Sequence, residues 1–309
     1  MSLANAPPVC TVEAPVLFAK LMRIKAPVPP LCDRGAMLMS QPMHRPRAAG
    51  PDVTVHRLAS LLPREHGGWA LALEPMALAL CAAFSWSGAA FSVAALAVFL
   101  ARRPWWVATR VADPARARQA RWVVLALASV AAMAAIPVLS LSGLASVLPL
   151  SVAALAAAAF AWMDAQGASR ALLAECAGAV AFCALGAVVV LAHPHGGPGA
   201  GLRSAAVAGF ALLRALTSLL PVRAYLRRRK REPVSVIPAL ATACAGVAAA
   251  CFAASVLGTW VPALWASVFA LRTAWLLGPL APAWPARRLG VLEAVLGAVA
   301  VVTTGISLS

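Results

Sequence analysis

Ten acids and five histidines are the ordinary acid–base side chains of this 309-residue chain, and three of them fall in one short stretch. Pro63 to Pro75 reads PREHGGWALALEP. Glu65, His66 and Glu74 are its candidates for proton transfer, a role suited to carboxylates and to an imidazole that titrates near neutrality. Arg64 can pair with an anion, and Gly67 and Gly68 can let a ligand or a second backbone approach closely. Free N–H groups at the start of a helix beginning here would also favour an anion. Trp69 is either an interface anchor or part of a wall. Gly67 and Glu74, seven residues apart, share a helix face. His66 lies about 80° around the helix and some 12 Å along it from Glu74, so the two can line one groove without bonding. The alternative is an ordinary helix start, with Arg64 and Glu65 at the membrane interface.

Four more charged residues lie inside apolar runs: Glu175, Arg214, Arg272 and Glu293. A charge at the centre of a bilayer costs about 2.5–3.5 kcal/mol on insertion scales, so with Glu74 these five must pair with one another or reach water. Their depths agree. Each is five to nine residues from a helix end on the same side, roughly 7–14 Å below that boundary. The spacing predicts a polar cavity open to the cytoplasm. It would be lined by helices one, five, six, eight and nine and closed outside by apolar packing. Arg214 and Arg272 would bind an anion, aided by Arg103, with Arg170, Glu175, Arg288 and Glu293 on the wall. Glu175 and Glu293 are also near enough to the interface to snorkel or pair locally.

The elements that must position these residues are membrane helices. Of the chain, 62% is hydrophobic and 12% charged, where soluble domains carry about 25% charged residues. No period-2 alternation marks a transmembrane barrel. The fold class is all-α, a polytopic bundle of nine helices at about 66–84, 88–101, 122–140, 144–163, 171–192, 204–222, 234–256, 259–280 and 289–308. The second is short, and is expected to continue through Trp105 and Trp106. Residues 1–58, rich in Pro and Arg, read as a disordered cytoplasmic tail ahead of a transmembrane domain at 59–309. Met37, Met39 or Met43 could begin a shorter chain.

The net charge is +16, and its placement follows topology rather than nucleic-acid binding. Of 26 Lys and Arg, 23 fall in the tail or in alternate connections. The positive-inside rule then predicts a cell-membrane protein with its N-terminus cytoplasmic and its C-terminus external. Outer connections at 85–87, 141–143 and 257–258 imply tight helical hairpins. The seven cysteines form no metal-binding or disulfide pattern, and no cofactor motif is present.

PREHGGWALALEP resembles the signature of the YwiC-like integral membrane family, a Pro-Lys/Arg-Glu-His-Gly-x-Trp motif followed by an apolar helix and a Pro. The resemblance extends to Arg103-Pro104, to Arg170 with Glu175, and to Arg288-Leu289-Gly290 with Glu293, covering about 60–308. It implies fold and topology rather than an activity. The architecture is also similar to the intramembrane prenyltransferases of the UbiA superfamily, whose connections after helices two and six carry Asp-rich metal sites. Here those connections hold only Asp113 and Glu232 among many arginines, so no metal is expected; arginines can hold a phosphate or carboxylate directly.

Three functions fit. The first is binding of, or action on, an anionic lipid or isoprenoid-type amphiphile, with the membrane's anionic inner leaflet as partner. The second is transport of a small anion or a proton-coupled solute. The third is a non-catalytic subunit docking a cytoplasmic partner through its basic face.

Overall fold

A computed structural model describes residues 66–194 and 199–309, with only the backbone described for His66, Gly67 and Gly68. The predicted tail, Arg64 and Glu65 lie outside the described residues. Within them the chain forms nine α-helices and no strand. They are α1 (His66–Ala82), α2 (Trp86–Arg110), α3 (Pro114–Ser142), α4 (Val147–Ala165), α5 (Leu172–Leu191), α6 (Ala200–Arg229), α7 (Ile237–Leu257), α8 (Val261–Leu277) and α9 (Ala286–Leu308), with one 3-10 turn, Gly143–Ser146, between α3 and α4. Each matches a predicted apolar segment, and α2 does continue through Trp105 and Trp106.

Six helical stretches among the described residues are long and apolar enough to cross a membrane: α2, the continuous run Pro114–Ala165, α5, α6, α7 and α9. α1 and α8 are apolar but shorter. The chain is a multi-pass membrane protein.

Local chemistry sets the helix limits. Ser85 caps α2, its Oγ accepting from the Gly88 N–H at 3.0 Å. Asp113 caps α3 by accepting from Ala115 N–H at 3.0 Å, with Pro114 in the first turn where its missing N–H costs nothing. Gly258 ends α7 at φ 72°, a left-handed conformation that glycine adopts without a Cβ clash.

Helices α1, α5 and α6 form the centre. α1 packs on α2, α5, α6 and α9, and α6 packs on α5, α7 and α8. Lipid is as apolar as a helix interior, so close backbone approach drives this association. Gly186 of α5 faces the Pro75 carbonyl of α1, and Gly305 of α9 faces Leu78 and Cys81. The main core joins Met76, Leu78, Val188, Val207, Phe210 and Phe269. A separate apolar cluster of Tyr225, Leu276, Leu277 and Leu289 lies toward the basic ends of α6, α8 and α9.

The turn at 141–143 departs from expectation. α3 lies along α2 and α4 along α5, and the two do not pack on each other. Gly143, at φ 53° and ψ −144°, and the 3-10 turn after it set the arms apart instead of folding them into a tight hairpin. Both arms therefore present large apolar side chains outward, among them Met133, Ile136, Leu148 and Leu155.

Candidate functional site

Four of the five intramembrane charges meet in one layer. α1 supplies Glu74, α6 Arg214, α8 Arg272 and α9 Glu293. Arg214 lies between the two carboxylates: Nη2 is 3.3 Å from Glu74 Oε1 and Nη1 is 3.3 Å from Glu293 Oε2. Nη2 also donates to the Glu293 backbone carbonyl at 2.7 Å. Arg272 Nη2 lies 2.8 Å from Glu293 Oε1 in an ion contact whose N–H is not aligned as a hydrogen bond. Both Arg272 Nη atoms donate to the Thr217 carbonyl, at 2.9 and 3.0 Å. Ser218 Oγ completes the set, donating to Glu293 Oε2 at 2.8 Å.

Glu293 is thus held by two guanidinium groups and a hydroxyl, the donor set an external oxyanion would need. Glu74 differs. Its one ion pair is the 3.3 Å contact with Arg214, and its side chain is 19% exposed against 3% for Arg214. Two arginines and two glutamates make the layer neutral, which suits a low-dielectric site.

The surroundings explain how the layer fits. Arg214 stacks over the Phe269 ring at 5.1 Å. Gly297, one helical turn beyond Glu293, clears the space where Glu74 and Arg214 meet; a Cβ there would overlap both side chains. Along the helices the layer falls between the two apolar clusters. Phe210 and Phe269 belong to the main core, while Tyr225, Leu276 and Leu289 belong to the second cluster. The Nε atoms of Arg214 and Arg272 are buried without a hydrogen-bond partner, so donor capacity in the layer is unused.

Other predicted residues sit elsewhere. Glu175 is not part of this layer. It pairs with Arg223 at 2.7 Å, both about one-third exposed, and Arg223 also donates to the Arg170 carbonyl at 2.7 Å. Trp69 packs edge-on against Phe99 of α2 at 5.4 Å. Arg103 is partly buried on α2. Arg288 is exposed beside a shallow groove lined by Trp284, Val291, Leu292 and Val295. His66, Gly67 and Gly68 open α1, about two turns before Glu74.

Sequence reasoning missed Thr217, Ser218 and Gly297, each three or four residues from a charge it had identified; that helical spacing was the available signal. It also missed Asp164, which pairs with Arg102 at 2.9 Å and ties α4 to α2. Arg102 lies over the Phe160 ring at 4.7 Å in the same contact.

Residues 62–190 match the family model of YwiC-like proteins. Over that region the chain is similar to that family. The match holds Pro63–Pro75, Arg103-Pro104 and Arg170 with Glu175, but stops short of Arg214, Arg272 and Glu293. Three of the four members of the charged layer therefore lie beyond the YwiC-like region. No curated protein and no solved structure matches the chain, so the likeness to intramembrane prenyltransferases gains no support.

Proposed function

We propose that this YwiC-like chain crosses the cell membrane nine times, N-terminus cytoplasmic and C-terminus external, and binds the anionic head group of a lipid or isoprenoid-type amphiphile at its charged layer. The observation that carries this reading is the inequality of the two glutamates. Glu293 is gripped by Arg214, Arg272 and Ser218, whereas Glu74 makes one long contact with Arg214 and is the more exposed. A phosphate or carboxylate arriving at the exposed side replaces Glu74 on Arg214 and leaves the Glu293 contacts in place. Arg64, Arg103 and the N–H groups near Gly67 and Gly68 would draw the head group in, and Glu65, His66 and Glu74 would be the groups able to move a proton. The apolar chain would lie along outward faces of the helices that bear the layer, such as Val291 and Val295 of α9 and Leu271 of α8.

The test is melting of the delipidated full-length protein with a single-chain phosphodiester amphiphile, and with its neutral alcohol. The reading expects a rise in melting temperature with the phosphate only. Equal shifts from both compounds, or none, would refute it.

A second reading, transport of a small anion, is favoured by the layer's position between two apolar clusters, since a transported solute needs a site closed on both sides. Uptake of a chainless anion into proteoliposomes, abolished in Arg214→Gln, would select it.

A further inference from the structure

The charge count of the layer constrains what it can bind. Arg214 and Arg272 balance Glu74 and Glu293, and the site lies between two apolar clusters. An uncompensated charge in such a place is costly. An anion binding there brings the layer to a net charge of −1 unless a carboxylate is neutralised. We infer that the layer takes up one proton for each singly charged anion it binds, that Glu74 accepts this proton, and that the preferred head group is a monoanion such as a phosphodiester or carboxylate. This rests on the head-group reading above and narrows its ligand class.

The two carboxylates are not equally able to take the proton. A proton on Glu293 would oppose two ion contacts and sit against the Ser218 hydroxyl, which already donates to Oε2. A proton on Glu74 gives up only the Arg214 contact. The step balances simply. The buffer acid in the aqueous phase gives up H⁺ and becomes its conjugate base, and the proton bonds to a Glu74 carboxylate oxygen. Arg214 Nη2 then donates to the incoming oxyanion instead of to Glu74. The new Glu74 O–H can donate to the same oxyanion, so the layer ends neutral. No bond in the ligand breaks.

The groups facing Glu74 agree with this assignment. α6 presents Arg214, the guanidinium that changes partner. α9 presents Glu293 on the far side of Arg214, and Gly297 leaves the intervening space open. α5 presents Cys183, a buried thiol with no positive charge. α2 also packs on α1, and its Arg102 is engaged by Asp164 of α4. α8 does not pack on α1, and its Arg272 reaches the layer through Glu293. Among these described neighbours, Arg214 alone carries a cation to Glu74. A dianionic head group would need two protons or would break the Glu293 contacts as well, which sets monoanions apart.

The experiment is calorimetry on the full-length protein in detergent, run in two buffers of different ionisation enthalpy at several pH values. The probes are lyso-phosphatidylglycerol, a phosphodiester with a chain, and dimethyl phosphate, the same monoanion without one. The expected result is uptake of about one proton per bound probe, with affinity falling about tenfold per pH unit once Glu74 is ionised in the free protein. In Glu74→Gln, uptake falls to near zero and affinity no longer varies with pH. Should that variant fail to fold, the wild-type proton count decides alone. Binding of the lysolipid without proton uptake overturns the linkage and leaves the head-group reading standing. Failure of both probes to bind overturns both. Equal binding of dimethyl phosphate with proton uptake upholds the linkage and identifies a free anion as the ligand.

Discussion

Replacing Glu293 by Gln removes the one carboxylate that joins both buried arginines. Three contacts go with it: Arg272 Nη2 at 2.8 Å, Arg214 Nη1 at 3.3 Å and the charge-assisted bond from Ser218 at 2.8 Å. The Arg214 bond to the residue's backbone carbonyl stays. A glutamine can accept one of the lost bonds, but its NH₂ must then face a guanidinium, and the layer is left with a charge of +1. Removing one partner of a buried ion pair costs about 3–5 kcal/mol. The comparison is Glu175→Gln, whose pair with Arg223 is one-third exposed and should lose no more than about 1 kcal/mol. The double variant Glu293→Gln/Arg272→Met restores neutrality, with Arg214 still paired to Glu74. It should be more stable than the sum of the single losses predicts, by roughly 1–3 kcal/mol of coupling. The assay is SDS-titrated unfolding of purified protein in mixed micelles for the singles and the double. A Glu293→Gln loss no larger than that of Glu175→Gln, or a double variant that is simply additive, would refute a charge-balanced buried layer.

Further outcomes are expected. Gly297→Ala drives a methyl into Glu74 and Arg214 and should cost about 1–3 kcal/mol from overpacking, whereas Gly209→Ala on α6 meets open space and should gain about 0.5–1 kcal/mol; the same unfolding titration reads both. The Tyr225 hydroxyl donates to the Pro282 carbonyl at 2.6 Å and accepts from Trp284 N–H at 2.9 Å. Tyr225→Phe should therefore cost about 1–3 kcal/mol and speed proteolysis within 278–285, and unchanged proteolysis would remove this clamp role. In a cysteine-free background, Ser309→Cys should react with an impermeant maleimide in intact cells and Arg229→Cys only after permeabilisation, the reverse pattern contradicting the proposed orientation.

Much of the fold was legible in the sequence because membrane solvation is blunt. Each apolar run had to become a helix to satisfy its own backbone, and short connections such as 257–258 marked where runs stop, although the Asp113 cap starts α3 eight residues before the expected limit. Depth was legible too: counting residues from the basic ends placed five charges, Glu175 among them, roughly 7–14 Å deep, and four of them meet. Which charges meet was not legible. Glu175 and Glu293 look equivalent in sequence, each five residues after an arginine, yet one pairs with Arg223 at the rim and the other anchors the buried layer. The outward arms of α3 and α4 were equally hidden behind an ordinary short connection. The cause is common to both. A soluble helix shows its inner face by an apolar stripe, but lipid and protein interior are alike apolar, so these helices carry no such mark and their rotation is set by packing alone. The sequence by itself determined the helices and the depth of their charges; the tertiary structure, through contacts such as Gly297 against Glu74 and Gly186 against Pro75, decided which faces turn inward and therefore which charges form the layer and which arginine holds which glutamate.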